Sequence, residues 1–92
     1  MNVNVDQYHI DQANSSRMPG EFADADKCPI ALALRELGVV NVFVDPEDAI
    51  IQIDSPALFW PMPIQVTEWA QSFDHGEVVY PFGFVINPNE FT

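Results

Sequence analysis

Residues 61–86 read PMPIQVTEWAQSFDHGEVVYPFGFVI and predict a helix, a glycine stop and a strand in succession. Pro63 suits the first turn of a helix over residues 63–75, because the N–H that proline lacks has no helical partner there. Four apolar side chains follow at helical spacing on one face: Val66, Trp69, Ala70 and Phe73. Gly76 stands where a left-handed residue closes a helix, and the β-branched and aromatic residues after it predict a strand over residues 78–86.

A shorter helix is predicted over residues 29–37. Asp24 or Asp26 can cap its start, Pro29 suits its opening turn, and Gly38 follows its last residue. Its apolar face is formed by Ile30, Ala33, Leu34 and Leu37. We therefore expect this helix to pack on the same core as the later one.

The segment between the two helices predicts a β-hairpin over residues 39–54. The runs VVNVFVD and AIIQID are rich in β-branched residues, and Pro46, Glu47 and Asp48 between them are typical of a turn. Because side chains alternate along a strand, Val40, Val42 and Val44 share one face of the first strand, and Ile51 and Ile53 share one face of the second. One face of this hairpin is expected to be buried.

The remaining segments have weaker patterns. Residues 1–10 alternate as an edge strand does, and residues 11–26 have no period, which is typical of a loop that is mobile, functional or wrapped on the surface. Residues 1–26 are therefore a candidate mobile N-terminal segment. Residues 55–63 carry three prolines and are expected to cross an edge of the domain. The fold class predicted is a single α+β domain over residues 1–92, with two helices and a mostly antiparallel sheet that contains the hairpin and the strand 78–86, with the N-terminal strand as a further candidate.

The composition is strongly acidic. The chain has fourteen Asp and Glu residues and only three basic residues, Arg17, Lys27 and Arg35, so its net charge is −11. No Lys or Arg follows Arg35. Such a charge repels nucleic acid and anionic membranes and favours basic surfaces of other proteins, so we expect neither direct nucleic-acid binding nor membrane binding. Because Cys28 has no second cysteine to pair with, and no signal peptide or membrane span is apparent, we expect a cytoplasmic protein.

Three short motifs are formed by Cys28, Pro29 and Ile30, then by Phe73, Asp74 and Gly76, then by Pro81, Phe82 and Phe84. Together they resemble a family of small uncharacterised proteins of tailed bacteriophages. The resemblance covers about the last two thirds of the chain. It implies a viral setting, with the host cytoplasm as the location, and implies no known activity or site.

No catalytic, metal or cofactor site is predicted. His9, Cys28 and His75 have none of the spacings of known metal sites, and the acids of the hairpin turn lack the glycine and final glutamate of a calcium loop. Cys28 at a helix start can have an activated thiol, but a lone cysteine before proline is more often a small buried apolar residue. Asp74 beside His75 is more typical of a helix end than of a catalytic pair. We therefore expect a protein that is not an enzyme.

The acidic surface instead predicts a DNA mimic, whose carboxylates replace phosphates that carry about one charge per 1.7 Å of duplex. The candidate binding residues are Asp45, Glu47, Asp48, Asp54, Glu68, Asp74 and Glu77, with Glu21, Asp24 and Asp26 as further acids. Phe59 and Trp60 are candidate apolar anchors, although burial of Trp60 in the core is the stronger expectation. The predicted function is inhibition of a host nucleic-acid-binding protein, as anti-CRISPR proteins and uracil-DNA glycosylase inhibitors do. The alternative is a structural or regulatory interaction module whose acidity serves only solubility, with a homodimer as its candidate form.

Overall fold

Three helices and five strands make up the part of the chain that the computed structural model describes, residues 1–16, 27–53 and 58–91. In chain order they are β1 (Asn2–Val5), α1 (Gln7–Ser15), α2 (Pro29–Glu36), β2 (Val42–Asp45), β3 (Ile50–Ile53), β4 (Leu58–Pro61), α3 (Ile64–Asp74), β5 (Phe82–Val85) and a 3₁₀ turn (Pro88–Glu90). The α+β class predicted from the sequence is confirmed. Buried side chains from all three helices and both sheets form one core.

The strands form two antiparallel sheets, in the orders β2-β3-β4 and β1-β5. The prediction that β5 joins the same sheet as the hairpin is therefore wrong, because β5 pairs with β1 along its whole length. Contact between the two sheets is aromatic: the rings of Trp60 and Phe84 stack with their centroids 5.8 Å apart. This stack joins β4 to β5 without a shared ladder of hydrogen bonds.

The predicted helix 29–37 is confirmed as α2, but its cap differs from the prediction. Cys28 is the N-cap residue, and its Sγ accepts the N–H of Ala31 at 3.4 Å. The prediction of Asp24 or Asp26 as the cap is wrong, because the helix begins directly after Cys28. At the other end Gly38 has φ +93° and closes the helix with two backbone hydrogen bonds, from Gly38 N to Arg35 O and from Val39 N to Leu34 O.

The predicted hairpin is confirmed, with shorter strands than expected. β2 begins only at Val42, because Asn41 has a positive φ of 55° that interrupts an extended chain. Val42 and Val44 are buried, as the alternation predicts, whereas Val40 lies before the strand and is exposed. Ile51 of β3 is fully buried on the same side.

The N-terminal region contains more regular structure than the sequence predicts. β1 has the expected alternation, with Val3 and Val5 buried. The prediction of an irregular segment from residue 11 is wrong as far as Ser15, because residues 7–15 form α1, which packs against α2. The helix starts where His9 Nδ1 accepts the backbone N–H of Asp6 at 2.9 Å.

The proline-rich linker also contains an element that the sequence did not predict. Its second half is β4, a short edge strand that ends at Pro61, which is where proline is tolerated in a sheet. The predicted helix 63–75 is confirmed as α3, with Pro63 at the N-cap and Gly76 at φ +77° after the last turn. The predicted strand 78–86 is reduced to residues 82–85, since residues 77–81 are outside any strand.

Candidate functional site

An open groove of about 560 Å³ lies between the hairpin and the C-terminal half of α3. We call it the hairpin groove. Its lining comes from three places: Phe43, Ile50 and Gln52 of the sheet, Asp45 and Glu47 at the turn, and Gln71, Asp74 and His75 of the helix and its end. Of the described residues, no lysine or arginine lines this groove. It therefore combines an apolar floor with carboxylates on two walls.

Hydrogen bonds hold the turn side of the hairpin groove in place. Asp45 Oδ1 accepts the backbone N–H of Glu47 at 3.0 Å and that of Asp48 at 3.2 Å, as aspartate at the start of a turn does. Gln71 Nε2 of α3 donates to the carbonyl oxygen of Pro46 at 3.3 Å. Hydrogen bonds within the turn, and one hydrogen bond to α3 on the opposite side of the groove, thus fix the position of the turn.

The floor of the hairpin groove belongs to the outward face of the three-stranded sheet. Phe43, Gln52 and Phe59 are paired side by side across β2, β3 and β4. Phe43 is 39% exposed and Phe59 is 38% exposed, so both rings are partly open to solvent. Phe43 lines the groove, whereas Phe59 does not. The two rings thus have matching positions and similar exposure on the same face of the sheet, but only the ring of Phe43 lines the groove.

A second groove of about 420 Å³ runs along the other side of α3. Its lining includes Glu68, Trp69, Val78 and Tyr80. The indole Nε1 of Trp69 donates to the carbonyl oxygen of Tyr80 at 2.9 Å and holds this segment against the helix. Helix α3 therefore lies between two grooves, the hairpin groove with three acidic lining residues and the second groove with one, Glu68.

The structure brings together some of the acids predicted as partner-binding residues. Asp45, Glu47 and Asp74 line the hairpin groove, and Glu68 lines the second groove. Asp48 is exposed at the hairpin turn and Glu77 is exposed directly after α3. Asp54, Glu21, Asp24 and Asp26 lie outside the described residues.

Of the two predicted aromatic anchors, only Phe59 is at the surface. Trp60 is 1% exposed, and its Nε1 donates to Glu90 Oε2 at 3.1 Å, so the stronger expectation, burial in the core, is confirmed, and its alternative role as a surface anchor is corrected. The cause is strand alternation: Trp60 faces inward beside Ile51, and Phe59 faces outward beside Gln52.

Cys28, which the sequence offered as a candidate nucleophile, is buried at the start of α2. Burial raises the pKa of the Cys28 thiol to about 12, which disfavours the thiolate that a nucleophile needs. His75 is exposed, far along the chain from the buried His9. Among the described residues, no group of three or more His, Cys, Asp or Glu is placed to hold a metal ion. That the protein is not an enzyme stays a prediction.

His9 is instead part of a structural cluster that joins α1 to α2. Its Nδ1 accepts the Asp6 N–H, so the neutral ring carries its proton on Nε2, which lies 2.5 Å from Glu36 Oε2. Tyr8 also donates to the Glu36 carboxylate. Hydrogen bonds from Tyr8 and then from His9 lower the pKa of Glu36, and the same contact with Glu36 raises the pKa of Tyr8 to about 12. These shifts keep Glu36 ionised and Tyr8 protonated.

Sequence reasoning missed the floor of the hairpin groove. The signal was present, because alternation with the buried Val42 and Val44 places Phe43 on the opposite face of the strand. An exposed phenylalanine next to an acidic turn was thus readable from the hairpin alone. The side of the groove formed by α3 could not be predicted in this way, because residues 71–75 meet the hairpin only in the tertiary fold.

Within the described ranges, no helix has the length and apolar character needed to span a membrane. A comparison of the chain with protein families, with curated proteins and with solved structures finds no match in any of the three. The resemblance to bacteriophage proteins therefore stays a prediction from the sequence motifs.

Proposed function

We propose that this chain is a non-enzymatic inhibitor that binds the basic nucleic-acid-binding surface of a host protein in place of nucleic acid. One observation carries the proposal: acidic residues from the hairpin turn and from α3 border two neighbouring grooves, and no Lys or Arg follows Arg35 in the sequence. The viral setting, and with it the comparison to anti-CRISPR proteins and uracil-DNA glycosylase inhibitors, rests on the motif resemblance.

The physical basis is competition for the same cations. A nucleic-acid-binding surface carries Lys and Arg that contact phosphates, and its affinity for polyanions falls steeply with salt because ions are released on binding. A folded protein with a net charge of −11 presents its carboxylates to such a surface without unfolding. Binding by this route depends on salt and excludes DNA from the same surface.

The test is capture of partners from host lysate on the immobilised chain, followed by mass spectrometry and by titration with the purified partner. We expect a nucleic-acid-binding protein that duplex DNA displaces and that high salt releases. Glu68→Lys should weaken this binding by about tenfold or more, because it places a cation against the partner's cations. Asp11→Lys is the matched control, since it makes the same charge change at an exposed position of α1.

Two results would contradict the proposal. One is a captured partner that duplex DNA does not displace and whose affinity is the same at low and high salt. The other is an equal effect of Glu68→Lys and Asp11→Lys, which would mean that total charge alone matters. If no partner is captured and the mass of the chain in solution rises with concentration, the homodimeric interaction module is the better description.

A further inference from the structure

The hairpin groove has a composition that a purely electrostatic mimic does not need. Its floor is apolar and aromatic, with Phe43 and Ile50 on the outward face of the sheet, while Asp45 and Glu47 lie at its turn end. A DNA mimic requires only carboxylates in suitable places. The aromatic floor points to a more specific occupant.

The position of Phe43 relative to Asp45 indicates which kind of basic side chain the groove can bind. The two residues lie two positions apart on β2, so both side chains point to the same face, about 7 Å apart along the strand. A planar guanidinium can stack on an aromatic ring and at the same time donate hydrogen bonds to a carboxylate, whereas an ammonium group cannot make a forked pair. The groove thus suits arginine better than lysine.

The charge and the volume of the hairpin groove are also consistent with binding of an arginine side chain. The described lining holds three carboxylates, from Asp45, Glu47 and Asp74, and neither lysine nor arginine. A volume of about 560 Å³ is large enough for a side chain together with the segment that carries it. Self-association through this face is disfavoured, because two copies would bring the carboxylates of their grooves together and each copy has a net charge of −11.

We infer that the hairpin groove binds an arginine-bearing segment of the partner protein, with the guanidinium stacked on Phe43 and donating either to the Glu47 carboxylate or to Asp45 Oδ2, since Asp45 Oδ1 accepts the two N–H groups of the turn. The inference rests on the proposed function and names the part of the partner that enters the site. Phe43 is then the residue that selects arginine over lysine, and the acids of the turn orient the guanidinium.

The experiment compares an arginine-rich peptide with a lysine-rich peptide of equal length and charge, each fluorescently labelled and titrated with the full chain. We expect the arginine peptide to bind about two- to fivefold more tightly. Phe43→Leu keeps an apolar side chain and removes the ring, so it should reduce this preference by removing the contribution of stacking. Phe59→Leu is the matched control, because Phe59 has the same exposure in the same row of the sheet and lies outside the groove.

The outcomes separate this inference from the proposed function. Equal binding of both peptides, or an unchanged preference in Phe43→Leu that is shown to be folded by circular dichroism, overturns the arginine site. If both peptides bind equally and salt releases both, the acidic interface of the proposed function still stands. Selective binding of the arginine peptide by a chain that captures no nucleic-acid-binding protein supports the groove and contradicts the proposed function.

Discussion

Cys28 shows how a single residue with reactive potential can serve structure alone. It is buried at the start of α2, where its sulfur accepts the Ala31 N–H in the place that serine or aspartate usually takes. The helix terminus favours a thiolate, but burial outweighs that effect and raises the pKa to about 12. The residue is therefore a capping group and part of the core.

The raised pKa of Cys28 predicts a loss of stability in alkaline solution. Below pH 9.0 the thiol is protonated in both states; between 9.0 and about 12 only the unfolded chain releases the proton, so the free energy of unfolding falls. The thiol contributes a slope of up to about 1.4 kcal/mol per pH unit. Urea unfolding at several alkaline pH values measures it.

Cys28→Ser is the control for this pH dependence, because serine keeps an N-cap acceptor and has no thiol to ionise. Tyr8 also has a raised pKa and contributes to the alkaline loss in both proteins. The thiol contribution is therefore the difference between the two slopes. Identical slopes would show that the thiol is accessible to water in the folded chain.

Among the elements, the β2–β3 hairpin is the one on which the proposed site depends. Its turn is held by the Asp45 carboxylate and by Gln71 of α3, and it ends at Ala49, whose carbonyl accepts the N–H of Met62 at 2.8 Å. Ala49 has φ +56°, a region that costs about 1–2 kcal/mol for a residue with a Cβ. The hairpin thus holds a strained residue at the edge of the groove.

Ala49→Gly is expected to stabilise the protein by about 0.5–1 kcal/mol, because relief of the left-handed strain exceeds the extra entropy that glycine loses on folding. Chemical denaturation with an unchanged m-value measures the gain. Ala49→Val should act in the opposite direction, since a β-branched residue tolerates positive φ least. A loss of stability in the glycine variant would disprove strain at this turn.

At the scale of the whole molecule, the dominant property is a charge that the chain does not balance. Fourteen acids and three bases are carried by a body with a radius of gyration of 12.1 Å. Repulsion among these charges opposes the compact state more than the expanded one. The same charge that is proposed to attract a basic partner therefore lowers the stability of the free protein.

This repulsion predicts that sodium chloride raises the thermal midpoint of unfolding at neutral pH, because added ions screen the carboxylates from one another. The control is the same titration near pH 4.1, the isoelectric point, where net repulsion vanishes and the salt effect should disappear. Chloride is preferred to sulfate, which strengthens apolar burial by itself. A midpoint that falls with salt at neutral pH would show that favourable charge contacts outweigh the repulsion.

The sequence by itself determined the parts of this protein whose pattern is local. Helices α2 and α3, their glycine stops and the hairpin turn follow from residue spacing and from the backbone preferences of glycine and proline, which act within a few residues. The charge that motivates the proposed function is likewise readable from composition. Helix α1 was not predicted, because its buried face consists of only His9, Ile10 and Ala13 and gives a weak apolar pattern. Its stability depends on packing against α2.

Only the tertiary structure decided which distant segments meet. β5 pairs with β1, the first strand of the chain, and the acids of the hairpin lie across one groove from Asp74 of α3. These arrangements arise because burying the most apolar area selects among many possible pairings, and that choice depends on contacts between residues far apart in sequence. The groove and its aromatic floor exist because this particular pairing of segments forms.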